Sequence, residues 1–341
     1  MKKVISGILV MVAFFCVANE VLALRIISET KITTDGGYLS SEFSPDGEMI
    51  LVTHKKDGIL IFDANGNNKK IVPMPKNVEL GVEKWSPDSK KIIGASVMKD
   101  SKLRRVTVLD VSTFGVEFLD IPKSDSAYFL SWSPDSKKIY YLYRQKKDRD
   151  IIEEGIWEYN IDTKTKTKVI DTLKTMEPKV SPSGDKIAYF ADWNFYSNTT
   201  PLWIVDINTK QKTKIGELDW STILWSPDGK NIFTGNQVVN IDTKEIKSGN
   251  FPGGFSYGEY AAWSSDSTKI YSVEGALYGD EPSKVTELYS DLVIWDIFTN
   301  SKQVFKTVNY REVDSNWTKD GKKVVCIDAN DDNLLLITLG E

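Results

Sequence analysis

A serine between glycines, Gly254-Phe255-Ser256-Tyr257-Gly258, matches the G-x-S-x-G pattern of a hydrolase nucleophile. Such a serine needs an imidazole to take its proton and a strand–turn–helix elbow to present it. The chain offers one histidine, His54, far upstream, and the pentapeptide sits in the glycine-rich stretch 249–260 with no helical pattern after it. It reads as a connecting loop. His54, before Lys55-Lys56-Asp57-Gly58, reads as a turn residue at the end of a strand. The two cysteines, Cys16 and Cys326, cannot build a four-cysteine zinc site or a disulfide framework. Two stretches, 63–68 and 328–333, have the oxygen-rich spacing of a calcium loop. Neither is followed by the bidentate glutamate of an EF-hand, and both read as hairpin turns. No metal and no cofactor are expected. Carboxylates remain: Glu259, Glu312 and Asp314 could cleave a glycosidic bond if two of them met across a pocket, but nothing in the sequence pairs them.

The elements that would position these groups belong to a chain of 341 residues with 41% hydrophobic and 27% charged side chains, an ordinary globular composition. Forty-three basic against forty-eight acidic residues give a formal charge of −5, which excludes an electrostatic footprint for nucleic acid. Residues 1–23 carry Lys2-Lys3, an uncharged run from Val4 to Ala18, and Val21-Leu22-Ala23, the layout of a cleaved secretory signal. The 15 residues of that run are too few for a membrane span. Phe15 stands where a small residue should precede a lipid-modified Cys16. A periplasmic or secreted protein, without a membrane span after cleavage, is expected. Cys326, within Val324-Val325-Cys326-Ile327, then reads as a buried small hydrophobe.

One phrase recurs seven times: FSPDG at Phe43, WSPDS at Trp85 and Trp132, VSPSG at Val180, WSPDG at Trp225, WSSDS at Trp263 and WTKDG at Trp317, spaced by 38 to 54 residues. Ser-Pro-Asp-Gly fits the four positions of a type I turn, and β-type runs such as Lys186-Ile187-Ala188-Tyr189-Phe190 follow it. A second phrase, as in Leu202-Trp203-Ile204-Val205-Asp206, supplies a third strand that runs into a polar turn and a short fourth. Four strands per period and no amphipathic helical window after residue 24 predict an all-β, seven-bladed β-propeller of four-stranded antiparallel blades, spanning 24–341 as one domain. The seventh unit ends at Glu341 without a fourth strand, whereas Arg25 to Lys31 is β-like and precedes the first unit. Pairing these would close the ring and hide two edges.

The repeated aromatic–Ser-Pro-Asp-Gly phrase resembles the TolB-type, WD-repeat-like propeller repeats of bacterial envelope proteins, also found in prolyl-oligopeptidase-like peptidases. The departures are Val180 and Ser183 in the fourth copy, Ser265 in the sixth, and Thr318 and Lys319 in the seventh. TolB itself looks like an αβ domain before a six-bladed propeller, and no room for that domain precedes Phe43 here. The related peptidases carry their triad on a separate domain for which no residues remain. Pectin-degrading propeller lyases resemble this ring but use several histidines around a metal, so the solitude of His54 counts against them. Sialidase-type Asp boxes place the tryptophan after the glycine, and here the aromatic comes first.

Long connections between second and third strands, 144–154, 191–201 and 274–290, share one face of such a ring with the segments entering each innermost strand. That face collects Tyr128, Arg144, Trp193, Phe195, Tyr196, Trp220, Tyr260, Tyr278 and Arg311 as candidate binding residues. The expected function is non-catalytic: a monomeric binding or scaffold protein recognising a protein or peptide of the cell envelope. The alternative is a carbohydrate-active hydrolase or lyase using the channel carboxylates.

Overall fold

The computed structural model describes residues 24–340 except 74, 77, 100–103, 122–130, 148–149, 173, 193–198, 220–221, 250–260, 276–289, 306–311 and 329. The described residues form seven four-stranded antiparallel sheets, each built of consecutive hairpins except the last. The innermost strands of blades 1 to 7 are Tyr38–Phe43, Val78–Trp85, Ser131–Trp132, Met176–Val180, Leu224–Trp225, Ala262–Trp263 and Glu312–Trp317. Each ends on the repeated phrase. Blade 7 takes Arg25–Lys31 as its outermost strand, antiparallel to Asn333–Gly340, with Ile26 opposite Leu339 and Lys31 opposite Leu335. The ring is thus closed by both ends of the chain, as the unpaired N-terminal run implied.

The turn phrase works through its side chains as well as its backbone. In blade 1 the amide of Gly47 donates to Ser44 O (2.8 Å), the Ser44 hydroxyl donates to Asp46 Oδ1 (2.6 Å), and the amide of Met49 donates to Ser44 Oγ (2.9 Å). The fourth position has positive φ, 76° at Gly47, where glycine avoids a Cβ clash. Departures from the phrase keep this geometry. Thr318 replaces the serine and still donates to Asp320 (2.6 Å). In the fourth copy Asp185, two positions later than usual, accepts from both Ser181 and Ser183.

Adjacent turns are stitched together where the fourth position is serine: Ser89, Ser136 and Ser267 accept from the amides of Asp46, Asp88 and Asp228 in the preceding blade (3.0–3.1 Å). Tryptophan does the same one layer up. The indoles of Trp132, Trp225 and Trp263 donate to the carbonyls of Lys84, Lys179 and Leu224, at 3.0–3.2 Å, in the blade before or at the level before them. Seven apolar clusters fill the seven blade interfaces, including the seam where Phe43, Ile50 and Leu60 of blade 1 meet Val325, Leu334 and Leu336 of blade 7. Cys326 is fully buried in the cluster between blades 6 and 7. No helix among the described residues is long and apolar enough to cross a membrane.

One expected loop is a strand. The segment from Arg144 to Glu154 continues the second and third strands of blade 3, Lys138–Lys147 and Asp150–Asn160, with Arg144 opposite Glu154 and Lys147 opposite Asp150. The charged run lacks apolar alternation because it extends beyond the packed interface, yet its backbone keeps pairing.

Candidate functional site: the channel

The innermost strands line the central channel, and the residue before each repeated aromatic falls at one level in it: Glu42, Lys84, Ser131, Lys179, Leu224, Ala262 and Asn316. This ring is held rigidly. Asn316 accepts from the amide of Phe43 in blade 1 (2.9 Å), and Ser131 accepts from the amide of Val180 in blade 4 (3.3 Å). Glu42 is partly buried, and desolvation within the ring raises its carboxyl pKa above the usual glutamate value. The positive charges of Lys84 and Lys179 act against that rise without cancelling it. Lys179 stands on blade 4, which does not adjoin blade 1, so its field reaches Glu42 across the channel. The channel therefore holds a carboxyl biased toward its protonated form and two lysines.

A proton donor beside fixed cations can transfer a proton to a departing oxygen while the cations hold a negatively charged substrate. The sequence reading missed Glu42, Lys84 and Lys179. The available signal was positional: each immediately precedes a copy of the repeated phrase, the one place where every innermost strand is in register.

Of the residues proposed from sequence, Tyr128, Trp193, Phe195, Tyr196, Trp220, Tyr260, Tyr278 and Arg311 lie outside the described residues, as do Glu259 and the 254–258 pentapeptide. Glu312 and Asp314 belong to the innermost strand of blade 7. Arg144 is described, and its guanidinium is occupied. Nε donates to Glu154 Oε2 at 2.6 Å and Nη2 to Thr175 O at 3.1 Å, while Glu154 Oε1 accepts from the amide of Thr175 at 2.6 Å. Glu154 is fully buried. Arg144 braces the blade 3 hairpin against the entry to blade 4.

His54 closes the second strand of blade 1 as a turn residue, 7% exposed. Its Nε2 lies 2.8 Å from Gly36 O and its Nδ1 accepts from the amide of Asp57 at 3.0 Å. The carboxylates of the two oxygen-rich stretches are engaged in turns and ion pairs: Asp63 accepts from Asn65, Asn67 and Asn68, Asp328 from the amide and side chain of Asn330, and Asp331 and Asp332 pair with Lys31 and Lys55.

No family model matches the chain, and no curated protein does. Solved structures do. An oligogalacturonate lyase in complex with manganese superposes with a TM-score of 0.69 at 14% identity, over 93% of this chain and 95% of that one. The oligogalacturonate lyase of Vibrio parahaemolyticus gives 0.67 and 14%, over 91% and 93%. TolB from Acinetobacter baumannii gives 0.50 and 14%, over 89% of this chain and 78% of that one.

The TolB-like propeller fold is thereby established. The expectation of a non-catalytic scaffold, with no enzymatic activity, is corrected: two of the structures matched along nine-tenths of both chains are oligogalacturonate lyases, and they favour the carbohydrate-active alternative. Among the described residues, none fits the manganese of that lyase. Both ring nitrogens of His54 are engaged by the backbone, and no group of three His, Cys, Asp or Glu side chains able to hold a metal occurs among the described residues.

Proposed function

We propose that this protein is a carbohydrate-active enzyme that breaks glycosidic bonds of an acidic glycan in the propeller channel, with Glu42 as its proton donor. The observation that carries this reading is the partly buried Glu42 carboxyl, on the channel-lining strand of blade 1, within electrostatic reach of Lys84 and Lys179. Lys84 and Lys179 would attract the carboxylates of a uronate chain, and the channel field would concentrate such a substrate. Protonated Glu42 donates to the glycosidic oxygen as its bond to the sugar carbon breaks, a step that hydrolysis and elimination share. In elimination a base removes the sugar proton next to the carboxylate and a double bond forms. In hydrolysis water supplies the oxygen, and a base activates it. The likeness to oligogalacturonate lyases along the whole ring supports elimination from oligogalacturonides as the first reaction to test. The 1–23 segment would export the enzyme to the compartment where such glycans arrive.

The test incubates the purified protein with oligogalacturonides, with and without chelator, and analyses products by mass spectrometry. Unsaturated products mark elimination and saturated fragments mark hydrolysis. Glu42→Gln should lower kcat by about 10²–10⁴-fold. Absence of cleavage of any uronate chain would overturn the proposal, as would activity unchanged in Glu42→Gln.

A further inference from the structure

A crevice lies away from the channel, where blades 1 and 2 meet on the face of the repeated turns. Its volume is about 510 Å³, within the range of small-molecule sites. Met49 and Ile61 of blade 1 and Val111 and Phe114 of blade 2 give it an apolar lining. Lys70 of blade 1 and Lys90 and Lys91 of blade 2 add a cationic one.

The repeat supplies an internal control for both linings. In blades 2 to 6 the turn after the third strand places one residue in left-handed backbone: Phe114 (φ 56°), Lys164 (57°), Lys210 (63°), Lys244 (61°) and Asn300 (56°). That conformation disfavours a bulky side chain. Of the five turns, the one in blade 2 carries an aromatic ring there, and the ring lines the crevice. The lysines differ as well. At the position of Lys91 in other blades, Lys138 pairs with Glu158 (3.0 Å), Lys186 pairs with Asp185 (2.7 Å) and Lys323 donates to Asn65 (2.9 Å). Lys91, like Lys269 of blade 6, has no such bond, and the ammonium groups of Lys70 and Lys90 have none either among the described residues. Lys70 and Lys90 are exposed and Lys91 is half-buried, so a ligand can reach all three. The carboxylate of the lining, Asp110, is committed to its own turn. Its Oδ1 accepts from the hydroxyls and amides of Ser112 and Thr113 at 2.7–3.1 Å, which holds its pKa down at about 2. Asp88, within reach of the Lys91 charge, is occupied by the Ser86 hydroxyl (2.6 Å) and the Lys90 amide (3.2 Å). Three ammonium groups against one lining carboxylate leave the crevice net positive.

We infer that the crevice between blades 1 and 2 is a binding site for a small organic anion with an apolar body, a carboxylate of the aliphatic or aryl class. The half-buried side chains of Met49, Val111 and Phe114 retain apolar surface that such a body covers. The carboxylate meets lysines that converge on a concave wall, where like-signed charges focus their field on an opposite one. A cation is repelled there, and a neutral ligand leaves the field unanswered. The crevice shares no residue with the channel and stands independently of the reaction proposed there.

The test follows the ε-methyl resonance of Met49, assigned with Met49→Leu, while octanoate and 2-naphthoate are titrated into the full protein. Acetate lacks the apolar body, octyltrimethylammonium reverses the charge and 1-octanol removes it. At least one of the two carboxylates should shift the resonance saturably below about 10 mM, and the tighter of them shows whether the body is aliphatic or aromatic. The triple variant Lys70→Gln/Lys90→Gln/Lys91→Gln should weaken that binding by about 10-fold, the combined effect of three partly exposed charges. Phe114→Asn, which sets the residue of the blade 6 turn at the same φ, should weaken it by about 10-fold as well. Circular dichroism checks that the variants fold, and the surface lysines carry the test if Phe114→Asn does not. Three results would overturn the inference: neither carboxylate saturating below about 10 mM, equal affinity in the lysine variant, or binding of acetate, octyltrimethylammonium or octanol at Met49 as tight as that of the carboxylates.

Discussion

Replacing Arg144 with methionine removes the only cation within ion-pair distance of Glu154 among the described residues and keeps most of the aliphatic stem. Glu154 has no solvent exposure, and its two oxygens accept from Arg144 and from the Thr175 amide at 2.6 Å each. Taking one partner from a buried pair leaves an uncompensated charge and costs about 3–5 kcal/mol. In a ring of this size that corresponds to a fall in Tm of about 5–10 °C. Urea unfolding, with the midpoint and slope fitted separately, is the assay. The double variant Arg144→Met/Glu154→Gln should recover a large part of the loss, because the neutral amide still accepts from Thr175. A single-variant loss below about 1 kcal/mol would refute the reasoning and return Arg144 to the surface as a side chain available for ligands.

Deleting residues 24–31 should leave the Asn333–Gly340 strand as an open edge, lower the unfolding midpoint and promote association; size-exclusion chromatography that shows an unchanged monomer would count against the closure. The turn aspartates predict acid sensitivity. Hydrogen bonds from Ser112 and Thr113 hold Asp110 at about 2, and Lys186 with Ser183 does the same for Asp185. Because these folded values lie below the unfolded one, their stabilisation is present above pH ~4 and lost as pH falls toward ~2, which chemical denaturation across that range will read. Glu42 works in the opposite sense: its raised folded pKa favours the folded state at low pH, and that contribution disappears as pH rises from the unfolded value through the folded one. Glu42→Gln should consequently be more stable than the parent at neutral pH while losing activity, a pairing that denaturation and product assays can check together. Trp263→Phe, which forfeits the 3.0 Å bond to Leu224 O, should cost about 1 kcal/mol and leave the ring intact.

The ring was legible because its information is local and repeated. The phrase found at 43–47 specifies a turn through its short polar side chains, and seven related copies specify seven blades. Closure was legible from an imbalance, a spare strand at Arg25–Lys31 against a blade lacking one. The failures came where meaning depends on partners distant in sequence. Arg144 looked like an exposed loop cation because its neighbours are charged; the hairpin register that sets it against Glu154 is invisible until the strands are paired. Glu42 looked like any strand glutamate. Its raised pKa comes from burial among strands brought together only by the ring, with Lys179, 137 residues away in sequence, acting against the rise. Judging activity from histidine count misled for a similar reason, since His54 is a turn cap and enclosed carboxyls and lysines can also move protons.

The measurement that bears most directly on the account is the product analysis of oligogalacturonides incubated with the parent protein and with Glu42→Gln. The account predicts shortened chains, insensitive to chelator, from the parent and a loss of at least 10²-fold in kcat from the variant. Intact oligogalacturonides after incubation with the parent, or equal turnover by the two proteins, would contradict it.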